Sequence, residues 1–387
     1  MRVLWVNEAA DFVGGCEQYI FNTARLLQDH GVQSSLLYDC RQPFSTDFVK
    51  PFDQAFPMVD ISVQVADINP DLIYVHRLSG RKVIEDLRNT GVPTVRFFHD
   101  TKLFCPREHR YTPFRHRTCN RPMGWRCYPC LGFINRSDSW PGISLNLVSR
   151  LRNEIQANRG LDAYVVASDY MATLLGEHGI SLSRTHIIPL YAQPPDDEEP
   201  VAREKDLFLF VGQLVRSKGI DTLLRAMTLT KRPCSLCIVG QGRQEQMFRA
   251  LANNLGLDGR VRFLGKVQQE ALSSWYWKAT CVVLPVRQPE SFALVGPEAM
   301  SRGTPVIATN IGGINTWLEN GRTGLTVHPN DPRALAQAMD TITSEIDLRD
   351  SMGKNARRRY EERFKPERHV HALLDVFGLL VGKGVQL

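Results

Sequence analysis

No stretch of this 387-residue sequence approaches the roughly eighteen uninterrupted apolar residues that a spanning helix needs. The opening run Met1-Arg2-Val3-Leu4-Trp5-Val6 reaches Asn7 and Glu8 at once. It is too short for the apolar region of a signal peptide, so it predicts a buried strand in a protein expected to stay in the cytoplasm. There is no low-complexity tract and no internal repeat, which excludes fibrous and solenoid architectures. No Asp-x-Asp pair is present to hold a divalent metal. No aromatic platform or groove-reading helix is recognisable, so no nucleic acid is expected as a partner. The nine cysteines, without a secretion signal, are expected as reduced thiols, Cys237 and Cys281 as small core residues.

What is present is the pattern of parallel βα units. Short apolar runs alternate with amphipathic stretches over a length that implies two cores. The expected strands of the first half are Arg2–Val6, Ser35–Tyr38, Leu72–Val75, Thr94–Phe98 and Ala163–Ala167. Those of the second half are Leu207–Val211, Ser235–Val239, Val261–Leu264, Cys281–Pro285, Pro305–Thr309 and Gly324–Val327. Helices are expected between them, among them Glu17–His30, Gln244–Leu255 and Pro332–Ile342. A Pro- and acid-rich segment without periodicity, within Tyr191–Asp206, marks the seam. The reading is α/β: a Rossmann-like domain over 1–193, a second over 194–366, and an apolar helical tail over 367–387 able to pack back on the first.

The formal charge of +6 is unevenly spread. From Arg96 to Arg136 stand Arg96, Lys102, Arg107, Arg110, Arg115, Arg117, Arg121, Arg126 and Arg136, opposed only by Asp100 and Glu108 among residues 96–136 outside the acid Asp138 that follows. Such a patch attracts anionic partners; the plainer reading is a solvated basic loop. It lies in a long Pro-, Arg- and Cys-rich insertion, about 100–142. Cys127-Tyr-Pro-Cys130 has zinc-knuckle spacing, and with Cys105 and Cys119 four thiolates would complete a tetrahedral structural site. The irregular spacing of the latter two leaves free thiols as the alternative.

Three segments of the second half carry chemistry. Phe210-Val-Gly-Gln-Leu-Val-Arg216-Ser-Lys218-Gly219-Ile-Asp runs from a strand through a glycine turn and basic residues into a helix. Backbone amides, Lys218 and Arg216 there suit a phosphate. Val239-Gly-Gln-Gly242 is a glycine turn at another strand's carboxyl end, where open α/β sheets bind ligands. Glu290-Ser291-Phe292-Ala293-Leu294-Val295-Gly-Pro297-Glu298 places one carboxylate in a loop and another on the first helical turn. The amides of Leu294 and Val295 would point into the same space. Taken alone, Glu298 reads as a complement to the helix dipole and Glu290 as a solvated acid.

Together with the Gly312-Gly313 loop, Val261-Arg-Phe-Leu-Gly-Lys-Val267 and Asn320-Gly-Arg-Thr-Gly-Leu-Thr-Val327, these segments resemble the family-four retaining glycosyltransferases of the GT-B fold. The similarity covers nearly all of Leu207–Phe364 and, more loosely, the first half. It implies two Rossmann-like domains with parallel sheets facing across a cleft. Glu298 would then bind the donor ribose, Glu290 the hydroxyls of the transferred sugar, and Lys218 with Arg216 the diphosphate. Ser291 to Val295 would complete the donor loop, and Gly265-Lys266-Val267 would frame the base. Two departures stand out: Gln213 where the family usually has arginine, and Ile188-Pro-Leu-Tyr191 where Asn-Gly is common.

In the first half, Gly14-Gly15-Cys-Glu17 opens a helix, and its plainer reading is a helix-start turn. By the resemblance, Gly15 lies in a loop bordering acceptor and donor phosphate. His99 ends a strand, where a histidine is more often structural; the resemblance turns it toward the transferred sugar, with Asp100 orienting it. His99 and Glu290 are thus the expected catalytic residues. The implied reaction is retaining and needs no cofactor, with domain closure excluding water. Its partners would be a nucleotide-sugar donor and a glycan or lipid-linked, anionic acceptor, at the inner face of a membrane. That suits cell-envelope polysaccharide or glycolipid synthesis. A sugar-phosphorylase relative and a non-catalytic, zinc-stabilised nucleic-acid- or anion-binding protein are the competing readings.

Overall fold

The computed structural model describes residues 1–112, 117–136, 142–195 and 201–382. Arg115 of the basic run and much of the Pro- and acid-rich seam lie outside them. The chain forms two compact units: Met1–His109, Arg121–Ile188 and Pro366–Leu387 make the first, Arg110–Asn120 and Pro189–Lys365 the second. The insertion is therefore divided, its Arg110–Asn120 stretch counting with the second unit.

The first unit holds a seven-stranded sheet ordered Thr185–Ile187, Ala163–Val166, Thr94–Phe98, Leu72–Val75, Arg2–Asn7, Gln33–Tyr38, Gln54–Pro57. Every pairing is parallel. Strands covered on both faces must be apolar throughout, and Leu72–Val75, Thr94–Phe98 and Ala163–Val166 are buried at every position. Helix starts are fixed locally: Ser168 Oγ accepts from the Met171 amide at 3.3 Å, and Asp60 from Val63 at 3.2 Å. The edge strands Gln54–Pro57 and Thr185–Ile187 were not expected from the sequence. They are short and only partly buried, so they leave no apolar run to detect.

Helix Pro366–Val381 packs in this unit, with Val370, Leu373 and Phe377 buried. Phe377 meets the Tyr74 ring edge-on at 5.1 Å, and the Tyr19 hydroxyl and His369 Nε2 are 2.8 Å apart. Two antiparallel pairs lie in the insertion, Tyr111–Thr112 with Arg117–Thr118 and Ile134–Arg136 with Ile143–Leu145.

The second unit holds a six-stranded parallel sheet ordered Val261–Gly265, Ser235–Val239, Leu207–Val211, Cys281–Leu284, Val306–Thr309, Gly324–Val327. The chain builds outward from Leu207–Val211 on one side, then crosses back to place Cys281–Leu284 on the other. This is the topological switch point, where loops leaving neighbouring strands diverge and leave a crevice. The loops in question begin at Gly212 and at Pro285. They are the two that carry Lys218 and Glu290. No helix among the described residues is long and apolar enough to cross a membrane.

Candidate functional site

In the second unit, the loop after Leu207–Val211 ends in a short 3-10 turn, Arg216–Lys218, before helix Ile220–Met227. Gly219 between them has φ 75°, and a Cβ there would lie 1.8 Å from the Pro285 carbonyl oxygen. Only glycine lets the two switch-point loops approach this closely. The approach brings Lys218 Nζ to 2.7 Å from Glu290 Oε1, and Gln288 Nε2 donates to the same oxygen at 3.2 Å. Both partners of the ion pair are largely shielded from water, at 21% and 15% exposure. Their attraction is therefore less screened than that of a surface pair.

The backbone around Glu290 is held from below. The Gly313 amide donates to the Glu290 carbonyl at 2.7 Å, and a Cβ on Gly312 would meet that oxygen at 2.5 Å. The expected Gly-Gly loop thus serves as a support for Glu290. Ala293 sits in the left-handed region at φ 66°, a strained conformation for a residue with a Cβ. It turns the chain into helix Val295–Ser301 at Leu294, the N-cap residue. Phe292 is fully buried and its carbonyl accepts from the Trp317 indole at 2.6 Å, so its own side chain serves packing. Ser291 and Val295 are half-buried in the same loop. Glu298, on the first turn, takes a 2.5 Å hydrogen bond from the Tyr276 hydroxyl. Burial, then Glu298, raise the Tyr276 phenol well above its ordinary value, so it remains a donor. Val267 is half-buried just past Gly265, whose carbonyl accepts from the Gly240 amide at 2.7 Å.

Two further residues belong to this construction and were missed from the sequence. Tyr276 lies mid-helix in Gln269–Lys278, where an aromatic reads as core. Arg287 is 6% exposed; it donates to Asp221 Oδ2 at 2.7 Å, to Thr222 Oγ1 at 2.6 Å and to the Arg216 carbonyl at 3.2 Å. It fastens the Lys218 turn to the Glu290 loop. A basic residue three positions past the end of the strand Cys281–Leu284 was the available signal. Arg216 itself is not gathered with Lys218: its guanidinium reaches Met247 Sδ at 3.3 Å, and its amide donates to Gln244. Gln213 is exposed.

In the first unit, the corresponding switch point lies between Arg2–Asn7 and Leu72–Val75. His76 follows the second of these, and its Nδ1 is 2.9 Å from His99 Nε2. His76 stacks on Trp5 with ring centroids 5.1 Å apart, and its Nε2 is buried without a partner. Burial first, then the charges around it, push the His99 imidazole down to about 3; His76 is likewise lowered by burial and by His99. Both are neutral at physiological pH, able to exchange one proton position but not to offer a cation. Cys16 joins them, one ligand-capable atom of each lying within 4.8 Å of the others. Burial, Glu17 and Asp100 raise its thiol, so it is protonated and not nucleophilic. Gly15 opens the helix Gly15–Gln28 with free space where a Cβ would stand. A cavity of about 400 Å³ is lined by His76, His99, Asp100, Arg77, Ser144 and Asn146, among others.

The cysteines of the insertion form no disulfide. Cys105, Cys127 and Cys130 form no group of three ligating atoms within that reach, among the described residues. Cys119 belongs to the second unit. The basic run is also narrower than its sequence implies. Arg96 is buried, donating to Asn158 Oδ1 at 2.6 Å and the Leu78 carbonyl at 2.7 Å, and Arg110 is buried against the Cys119 carbonyl.

Residues 194–359 match the family described as Glycosyl transferases group 1. An uncharacterized glycosyltransferase of Methanocaldococcus jannaschii is 34% identical over 167 residues, 42% of either chain. A D-inositol 3-phosphate glycosyltransferase of Corynebacterium kroppenstedtii is 35% identical over 185 residues, 45% of this chain and 41% of its own. The chain thus spans about two fifths of the length of these curated relatives. Among solved structures, Anabaena HepE in complex with UDP superposes with TM-score 0.75 at 17% identity, covering 98% of this chain and 100% of its own. Sucrose-phosphate synthase from Thermosynechococcus elongatus gives 0.72 at 21%, covering 99% of each. The fold is therefore GT-B.

The neutral histidine pair generates a prediction. A histidine lowered on folding binds its proton only in the unfolded chain between the ordinary value of about 6.5 and the folded one. Stability is therefore unaffected above pH 7 and falls as pH drops below about 6.5, by up to about 1.4 kcal/mol per pH unit for each such histidine. In NMR titration the His99 ring signals should stay fixed from pH 8 to 5. A midpoint near 6.5, assigned through His99→Gln, would contradict the geometry.

Proposed function

We propose, from the match of residues 194–359 to the family of group 1 glycosyl transferases, that this chain moves a glycosyl group from a nucleoside-diphosphate sugar to a hydroxyl acceptor, with retention of configuration. The observation that carries the reading is the shielded Lys218–Glu290 pair at the second sheet's switch point, with Glu298 fixed by Tyr276 on the following helix.

In this reading the donor diphosphate takes over Lys218, and the freed Glu290 carboxylate accepts hydrogen bonds from the sugar hydroxyls. Glu298, oriented by Tyr276, receives the ribose hydroxyls. Because Phe292 is buried, the loop Ser291–Val295 contributes backbone amides, which Ala293 aims by its left-handed turn. Lys218 and these amides stabilise the departing diphosphate as preorganised charge, with no divalent cation required. The bond from the anomeric carbon to the donor phosphate oxygen breaks as the bond to the acceptor oxygen forms on the same face. The acceptor's proton passes to the departing phosphate.

UDP is the first nucleotide to try, since Anabaena HepE is described in complex with it. The acceptor is read as a hydroxylated compound, a glycan or lipid-linked species carrying negative charge, used in cell-envelope synthesis on the cytoplasmic side. The relatives named for D-inositol 3-phosphate support a phosphorylated polyol class.

Thermal shift against nucleosides, nucleoside diphosphates and their sugars tests the donor site without an acceptor. One base family should raise the melting temperature by a few degrees at saturation, and Glu298→Ala should abolish the rise. A folded protein indifferent to every nucleotide would remove the reading. Once donor and acceptor are known, proton NMR of product formed in the presence of chelator should show the donor's anomeric configuration. An inverted product, or dependence on added metal, would rule out the mechanism.

A further inference from the structure

The insertion carries a surface that the transfer reaction does not use. Ile134–Arg136 and Ile143–Leu145 pair antiparallel, with Ile134 opposite Leu145. Side chains alternate across a strand, so Ile134, Ile143 and Leu145 share one face. Their exposures are 39%, 52% and 61%, an apolar face open to solvent. Just before the hairpin, Trp125 (68% exposed) and Tyr128 (50%) stand three residues apart on a 3-10 turn, where such positions align. Tyr128 reaches the Phe133 ring at 5.9 Å, joining turn and hairpin.

Among the described residues, the exposed charges in this stretch of the first unit are mainly basic: Arg121, Arg126 and Arg152 are exposed, and Arg150 is paired with Glu154 at 3.1 Å. The Arg126 guanidinium lies 5.3 Å from the Trp125 ring centre, and an Arg152 nitrogen would be 3.7 Å from a Cβ on Gly124. Exposed tryptophan and tyrosine interleaved with arginine suit the headgroup region of a bilayer, where rings bury their bodies and guanidinium groups meet phosphates. A second copy of the chain would set arginines against arginines. The face also has a polar neighbour: Leu145, Ser144 and Asn146 line the cavity that holds His99 and Asp100.

We infer that this hairpin and turn rest on an anionic lipid surface, and that the acceptor is a lipid-linked hydroxyl compound whose head enters the adjoining cavity. The second clause rests on the transferase reading above; the first does not. A compound with a polar head and an apolar tail matches a polar cavity rimmed by an apolar face.

Flotation of the full chain with phosphatidylglycerol vesicles, and with phosphatidylcholine vesicles as the neutral control, tests the surface. Binding should require phosphatidylglycerol and weaken with salt. The double variants Trp125→Ser/Ile143→Ser and Arg126→Glu/Arg152→Glu should each lower partitioning by about tenfold or more. Because these side chains are exposed, the melting temperature should hold, and so should the nucleotide-induced shift. Absence of vesicle binding, equal binding to both lipids, or partitioning unchanged in both variants would overturn the inference. So would light scattering that shows this face covered by a second copy. Any of these with the nucleotide shift intact would leave the donor reading standing. Loss of that shift in the parent protein would instead indict the donor reading, while vesicle binding would still support the surface.

Discussion

The 2.7 Å pair between Lys218 and Glu290 is the constraint around which the second unit is organised. Two opposite charges are held together with little water between two loops that leave neighbouring strands. Such a pair is costly to desolvate and becomes worthwhile where an incoming ligand can replace one partner. Everything nearby keeps the loops at that separation. Gly219 permits the backbone contact with Pro285, Arg287 fastens turn to loop, and Gly312-Gly313 fills the space beneath Glu290. In the proposed reading the ion pair is poised rather than merely stabilising: a diphosphate would offer Lys218 a stronger partner, and sugar hydroxyls would offer Glu290 replacement donors.

The first unit places a different kind of group at its own switch point. Where the second sheet presents fixed charges, the first presents His76 and His99, both kept neutral by burial and joined by one hydrogen bond. Arg96, which the sequence suggests as part of an anion-attracting patch, is instead a buried brace from strand to helix, tied to Asn158 and Leu78. In the first unit's part of the insertion, the exposed Arg121 and Arg126 stand in one segment with the exposed Trp125 and Tyr128, Arg126 lying 5.3 Å from the Trp125 ring centre.

Much of this was legible in the sequence, for physical reasons. Strands buried on both faces, such as Leu72–Val75 and Thr94–Phe98, announce themselves as apolar runs, and the structure returns them with the same bounds. Short edge strands such as Gln54–Pro57 do not, because half of their surface faces solvent. Spacing placed Lys218, Glu290 and Glu298 on one strand–loop–helix pattern, but only the family resemblance gave the two carboxylates a role beyond a solvated acid and a complement to the helix dipole. Arg287 and Tyr276 were not, since their importance lies in partners tens of residues away. Nor could spacing show that Arg216 would turn toward Met247, or that Arg96 would point inward.

In the proposed reading, donor binding draws Lys218 away from Glu290 and onto the diphosphate. Calorimetric titration of the matching nucleoside and nucleoside diphosphate into the parent protein and Lys218→Met tests it most directly. The variant should bind the diphosphate about ten- to a hundredfold more weakly while its affinity for the nucleoside is unchanged, as expected for one lost charge-assisted contact. A Lys218→Met protein that binds the diphosphate as tightly as the parent would contradict the account.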